Sequence, residues 1–175
     1  MDQSVIPECF VDTNLIETLV PPQKQYNHQK GCGTVTKVMR ERFTDRFALG
    51  IIDKDKKEVD YLKEFEIICS KGSLILHKHQ KRHHYIIQIY PAMERFIMNT
   101  ADTLGISLKD FDLPIDLNLL KKESKTINSK NDKRFNNLFK FFKKNSAEEI
   151  QRLTAWITYL KEKNYDVVIK EIQLL

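Results

Sequence analysis

Few residues in this sequence could tie the chain covalently or anchor it in a membrane. Its three cysteines, Cys9, Cys32 and Cys69, are odd in number, far apart and free of any C-x-x-C pair, so neither a disulfide framework nor a zinc site is expected. No uninterrupted apolar run approaches the roughly 18 residues that a membrane span requires. The N-terminus lacks a basic segment leading into an apolar signal core. A cytoplasmic protein with no membrane association is the expectation. Internal repeats and low-complexity tracts are also missing, and 41% hydrophobic with 30% charged residues is the composition of a globular chain. At 175 residues it is long enough for one domain with a real core and an appendage.

Acidic residues are scarce in one region in particular. Between Lys121 and Lys144 nine Lys or Arg face only Glu123 and Asp132, while the chain as a whole carries a net charge of +5. Such a stripe is either a solvated helix face or a surface that attracts a polyanion, where each phosphate contact releases counterions.

The apolar pattern predicts an α/β fold. Ile6 to Val11 suits a buried strand that runs into Asp12-Thr13-Asn14 and a helix stopped by Pro21 and Pro22. Gly31 and Gly33 form a turn before a second helix marked by Val35, Val38, Met39 and Phe43. Phe47 to Ile52 is continuously apolar, as in a strand covered on both faces of a parallel sheet. Further strands are expected in EFEIICS, SLILHKH and YIIQI, with Lys71-Gly72 as a turn, and then a helix with Pro91 at its first position and Gly105 past its end. Residues 1–112 form the expected α/β domain and 113–132 a linker or mobile loop. Residues 133–175 form a helical extension with an aromatic stripe (Phe135, Leu138, Phe139, Phe142), a capping box from Ser146 to Glu149, and a possible final strand from Asp166 to Ile172.

Ligands of open α/β sheets gather beyond the carboxyl ends of the strands. Asp12 ends the first predicted strand, and the stretch IIDKDK places Asp53 and Asp55 at the end of another. If those strands are neighbours, three carboxylates meet at one rim, an arrangement that a hard divalent cation such as Mg²⁺ or Mn²⁺ neutralises. Such an ion activates water and stabilises in-line displacement at phosphorus. Each acid also has a plain structural use: Asp12 as a helix cap, Asp53 and Asp55 in a solvated turn, and Glu94 at the positive end of the helix that follows Pro91.

The order of strand, acidic residue, helix, glycine turn, helix and apolar strand ending in D-x-D resembles the Toprim domain of topoisomerases, bacterial primases and OLD-type nucleases. The resemblance covers about residues 5 to 105. It implies that Asp12 stands for the family's first-strand glutamate, that Asp53 and Asp55 are its D-x-D pair, and that Glu94 belongs to the same Mg²⁺ or Mn²⁺ site. The family has glutamate followed by glycine where this chain has Asp12-Thr13. VDTNLIETL also resembles the opening of a PIN-domain ribonuclease, which leaves IIDKDK without a role. Both resemblances imply metal-dependent cleavage of DNA or RNA. A catalytically degenerate module that binds nucleic acid or a protein partner subunit is the alternative.

The segment HKHQKRHH, from His77 to His84, lacks an acidic or cysteine partner nearby. It reads as a basic hairpin tip whose Lys78, Lys81 and Arg82, with Lys54 and Lys56, would touch a nucleic-acid backbone, or else as an inert loop. His28 is a further candidate near the acidic rim.

Overall fold

A computed structural model describes residues 2–54 and 59–175. The chain is α/β: a five-stranded mixed sheet flanked by helices. In chain order the elements are β1 (Val5–Pro7), α1 (Phe10–Leu19), α2 (Cys32–Arg42), β2 (Ala48–Asp53), β3 (Phe65–Lys71), β4 (Leu74–His79), β5 (His84–Ile89), α3 (Met93–Thr103), α4 (Leu117–Ser124), α5 (Lys133–Lys144), α6 (Glu148–Lys163) and α7 (Ile169–Leu174). The sheet order is β1-β2-β5-β4-β3. β1, β2 and β5 run parallel, and β4 and β3 are added antiparallel through tight turns. No helix among the described residues is long and apolar enough to cross a membrane.

β2 is buried on both faces, and its alternation sorts its side chains into two apolar clusters. Ala48 and Ile52 join Val35, Met39 and Phe43 of the α2 side. Gly50 lies between them because a Cβ there would sit 2.9 Å from Met39 Sδ and 3.1 Å from Val35 Cγ1, so its absence lets α2 approach the strand. Leu49 and Ile51 face the opposite way and join α1, α3, α5 and α6 in a cluster that contains Phe135, Phe139, Phe142 and Trp156, each fully buried. The aromatic stripe of α5 is thus core, as its helical spacing predicts. By the same alternation Asp53 points to the α1 and α3 side.

Several expected elements are placed differently. The first strand stops at Pro7 and the helix begins at Phe10, so Asp12 is not at a strand end but in the first turn of α1. Cys9 caps that helix: its Sγ accepts from the Asp12 N–H at 3.4 Å, and Asp12 Oδ2 accepts from the Cys9 N–H at 3.1 Å. Pro91 lies two residues ahead of α3 rather than at its first position.

The stretch 113–132, expected as a linker, contains α4 and a 3₁₀ turn over Ile127–Asn131, with Leu113 and Leu120 inside the larger cluster. The capping box at Ser146 does not form. Ala147 precedes α6, Ser146 takes a left-handed conformation (φ 57°), and Glu149 turns instead to the Ser73 N–H in the β3–β4 turn. The predicted final strand is α7. Its Ile172 is buried, and Gln173 Nε2 donates to the Ile68 carbonyl at the free edge of β3. A helical segment thereby covers a strand edge that would otherwise be open.

Candidate acidic site at the carboxyl rim of the parallel strands

Four carboxylates, from the β1–α1 connection, α1, β2 and α3, gather where β1 and β2 end. Glu8 directly follows β1, and its N–H donates to the Ile51 carbonyl at 3.0 Å, which carries the ladder one residue past the strand. Its Oε2 accepts from the Asp53 N–H at 2.9 Å. Asp53 ends β2, with Oδ1 accepting from the Met93 N–H at the start of α3 at 2.9 Å. Glu94, the next residue, is 4% exposed and accepts from Ser124 Oγ at 2.6 Å. Asp12 is 1% exposed. Its Oδ1 is buried with no hydrogen-bond partner among the described residues.

The electrostatics agree with this placement. Burial pushes the Asp12 carboxyl up to about 7, helped by the charges of Glu8 and Glu94 and opposed by its bonds to Cys9. Asp53 is driven up to about 9, by burial first and then by Asp12, Glu8 and Glu94, against the lowering effect of the Met93 N–H. The Cys9 thiol is also raised, chiefly by burial and by Asp12, and is no thiolate nucleophile. Among the described residues no group of three His, Cys, Asp or Glu is arranged to hold a metal ion as it stands. The carboxylates nevertheless feel one another's charge, and each also turns one oxygen to a backbone or hydroxyl donor.

Three of the residues predicted from sequence, Asp12, Asp53 and Glu94, share this rim. Asp55 and Lys56 lie outside the described residues. Glu8 was not among the predicted residues, because a first strand read as far as Val11 buries it mid-strand. The Cys9-x-x-Asp12 capping pattern is the signal that would have placed it at the strand end. Ser124 carries no signal in its lysine-rich surroundings.

The HKHQKRHH hairpin is elsewhere. Ala48 pairs with His84 and Asp53 with Ile89, so the β4–β5 tip lies at the opposite end of β2, ~17 Å from the carboxylates at ~3.3 Å per residue. Lys78, Lys81 and Arg82 therefore do not border the acidic rim. Three of its histidines are also core residues rather than a basic loop. His77 bonds Gln88 at 2.8 Å, His79 bonds Glu64 at 3.1 Å, and His84 sits between the Tyr61 hydroxyl at 2.7 Å and the Phe43 carbonyl at 2.9 Å. Burial lowers the pKa of both His79 and His84.

Lys54 is at the rim, with its N–H donating to the Ile89 carbonyl at 2.9 Å. His28 stacks on Phe10 (4.2 Å between centroids) and bonds Thr13 Oγ1 at 3.1 Å, beside α1 rather than in the carboxylate cluster.

The lysine-rich segment reaches the rim from the other side. Ser124 touches Glu94, and the chain from there to Asp132 lies along α1, where Asn14 Nδ2 donates to the Ser129 and Asp132 carbonyls at 2.8 and 3.1 Å. It ends at a polar cleft of about 250 Å³ lined by Asn14, Glu17, Thr18, Lys130, Lys133 and Asn136, among others. No protein-family model, curated protein or solved structure matches the chain.

Proposed function

We propose that the chain is a Toprim-like nuclease domain that cleaves phosphodiester bonds of nucleic acid with the help of Mg²⁺ or Mn²⁺. The observation that carries this reading is the buried, unpartnered Asp12 Oδ1 in a cluster where Glu8, Asp53 and Glu94 raise the cost of every negative charge. All four side chains offer hard oxygen donors, the donor chemistry that a small divalent cation takes. Each carboxylate is oriented through one oxygen by a backbone or hydroxyl donor, the kind of support that ligating carboxylates have in metal sites. Glu8, Asp12, Asp53 and Glu94 are the residues that would hold the ion. A bound cation would neutralise the cluster, activate water and offset charge at the phosphoryl group.

The chain's own residues supply the remainder. Without a cation, Asp12 and Asp53 hold protons near neutral pH, and losing them is what makes the site able to accept positive charge. Lys54 on one side, and Lys130 and Lys133 on the other, would meet phosphates that flank the scissile one. The Toprim-like expectation is favoured over the PIN-like one because Glu8 and Asp53 end adjacent parallel strands. Glu8 followed by Cys9 now takes the place of the family's glutamate and glycine, and Asp12 becomes an additional acid one helical turn on.

A second reading, a noncatalytic binding module, is supported by the structural work the same carboxylates do: Asp12 closes the cap of α1, and Asp53 fixes the start of α3. Incubation of a labelled oligonucleotide with 5 mM Mg²⁺ or Mn²⁺ separates the two. The nuclease reading expects cleavage that disappears in Glu8→Gln and Asp53→Ala while circular dichroism remains native. Undiminished cleavage in the variants, or none in the wild type with either ion, would reject it.

A further inference from the structure

This inference rests on the nucleic-acid reading above and concerns which form of nucleic acid the site accepts. Tyr90 is the residue immediately after β5, and Ile89 before it pairs with Asp53, so it stands at the same end of the sheet as the acidic rim. Its backbone is fixed. The Tyr90 N–H donates to the Ser73 carbonyl at 2.8 Å, Ser73 is itself held by Glu149, and Lys54 extends the β2–β5 ladder by bonding Ile89. The side chain, by contrast, is 53% exposed, with Lys54 Nζ 5.3 Å from the ring centroid.

The other tyrosines are used by the fold. Tyr26, Tyr61 and Tyr85 are buried. The Tyr159 hydroxyl donates to Glu171, and the Tyr165 hydroxyl accepts from the Phe47 N–H while its ring packs against His83. Among the described residues Tyr90 alone of the six neither buries its ring nor hydrogen-bonds through its hydroxyl.

An exposed aromatic ring on a fixed backbone, at the same end of the sheet as a phosphodiester site and with an ammonium group against it, has the parts of a base-stacking platform. Every base has a face that can stack on such a ring, but in a duplex those faces are already covered by neighbouring base pairs. We propose that Tyr90 and Lys54 form a platform that stacks an unpaired base and holds its phosphate, which makes single-stranded nucleic acid the substrate of the carboxylate site. Lys54 would leave the ring for the phosphate as the base takes its place.

The test is fluorescence anisotropy in EDTA with a labelled single-stranded 12-mer and its duplex, so that binding is read without cleavage. Tyr90→Ala is expected to weaken single-strand binding on the order of 10-fold. Tyr90→Phe should stay within about 2-fold, and duplex affinity should remain unchanged in both. Because the side chain is exposed, both variants should melt with the wild type. Wild-type single-strand affinity in Tyr90→Ala, equal losses in the Phe and Ala variants, or a parallel loss of duplex binding would each overturn the proposal. If the wild type binds neither oligonucleotide, the nucleic-acid reading falls and the platform with it. If it binds with the expected Tyr90 dependence but never cleaves with Mg²⁺ or Mn²⁺, cleavage is refuted and the platform stands.

Discussion

Replacing Asp53 by Asn removes an ionisable group that must take up a proton on folding and keeps an oxygen for the Met93 N–H. In the metal-free protein the folded pKa of Asp53 is raised from 3.8 to about 9 and that of Asp12 to about 7. Between these limits the native state binds more protons than the unfolded chain, so stability falls as pH rises. One such carboxyl gives a slope of about 1.4 kcal/mol per pH unit where it is protonated only in the folded state. Over the interval from pH 5 to pH 7.5, and allowing for relaxation and water entry, Asp53→Asn should recover about 1–3 kcal/mol. For a chain of this length that is roughly 3–9 °C in Tm.

The assay is thermal melting of both proteins in EDTA from pH 4.5 to 8.5. Near pH 4.5 the curves should nearly coincide, and Asp53→Asn should melt progressively higher as pH rises. His79 and His84, whose folded pKa values are lowered by burial, contribute stability that is present above about pH 6.5 and lost as pH falls. That acid limb is common to both proteins and cancels in the difference. A variant destabilised by the same amount at every pH would refute the reasoning, since it would show that the Met93 contact outweighs the charge. Saturating Mg²⁺ should reverse the order by stabilising only the wild type, by about 2–3 kcal/mol at a hundredfold excess over Kd.

Further outcomes follow from other parts of the structure. Gly50→Ala should cost about 1–3 kcal/mol in urea unfolding, because its Cβ would meet Met39 and Val35 at 2.9 and 3.1 Å. Ser124→Ala removes the hydroxyl that serves the buried Glu94 and should cost about 1–3 kcal/mol in the same unfolding measurement. Lys130→Ala with Lys133→Ala should lower nucleic-acid affinity and reduce the slope of log K against log salt by about 2. Lys81→Ala with Arg82→Ala, at the far end of the sheet, should leave both unchanged in the same titration.

The sequence alone determined what periodicity and local chemistry encode. The α/β class, the continuously apolar β2 and the aromatic face of α5 were all legible, because burial on a strand or helix leaves a regular pattern in the residues themselves; of the two glycines expected in the turn before α2, only Gly31 precedes the helix, and Gly33 lies inside it. Asp53 was legible as the residue where apolar character stops. The end of β1 was not, because Pro7-Glu8-Cys9-Phe10-Val11 is equally compatible with strand and helix entry, and a sulfur cap with a reciprocal Asp12 bond settled it. The same holds for Ser146, where the local capping pattern lost to a contact between Glu149 and a turn 76 residues away. Strand order decided the rest. Parallel pairing of β1 with β2 and of β2 with β5 set Glu8 beside Asp53 and brought Glu94 and Tyr90 to the same rim. It also carried HKHQKRHH to the opposite one. Charge and residue type name the chemistry a side chain can perform, but which side chains share a site depends on pairings between distant strands, and no local pattern records them.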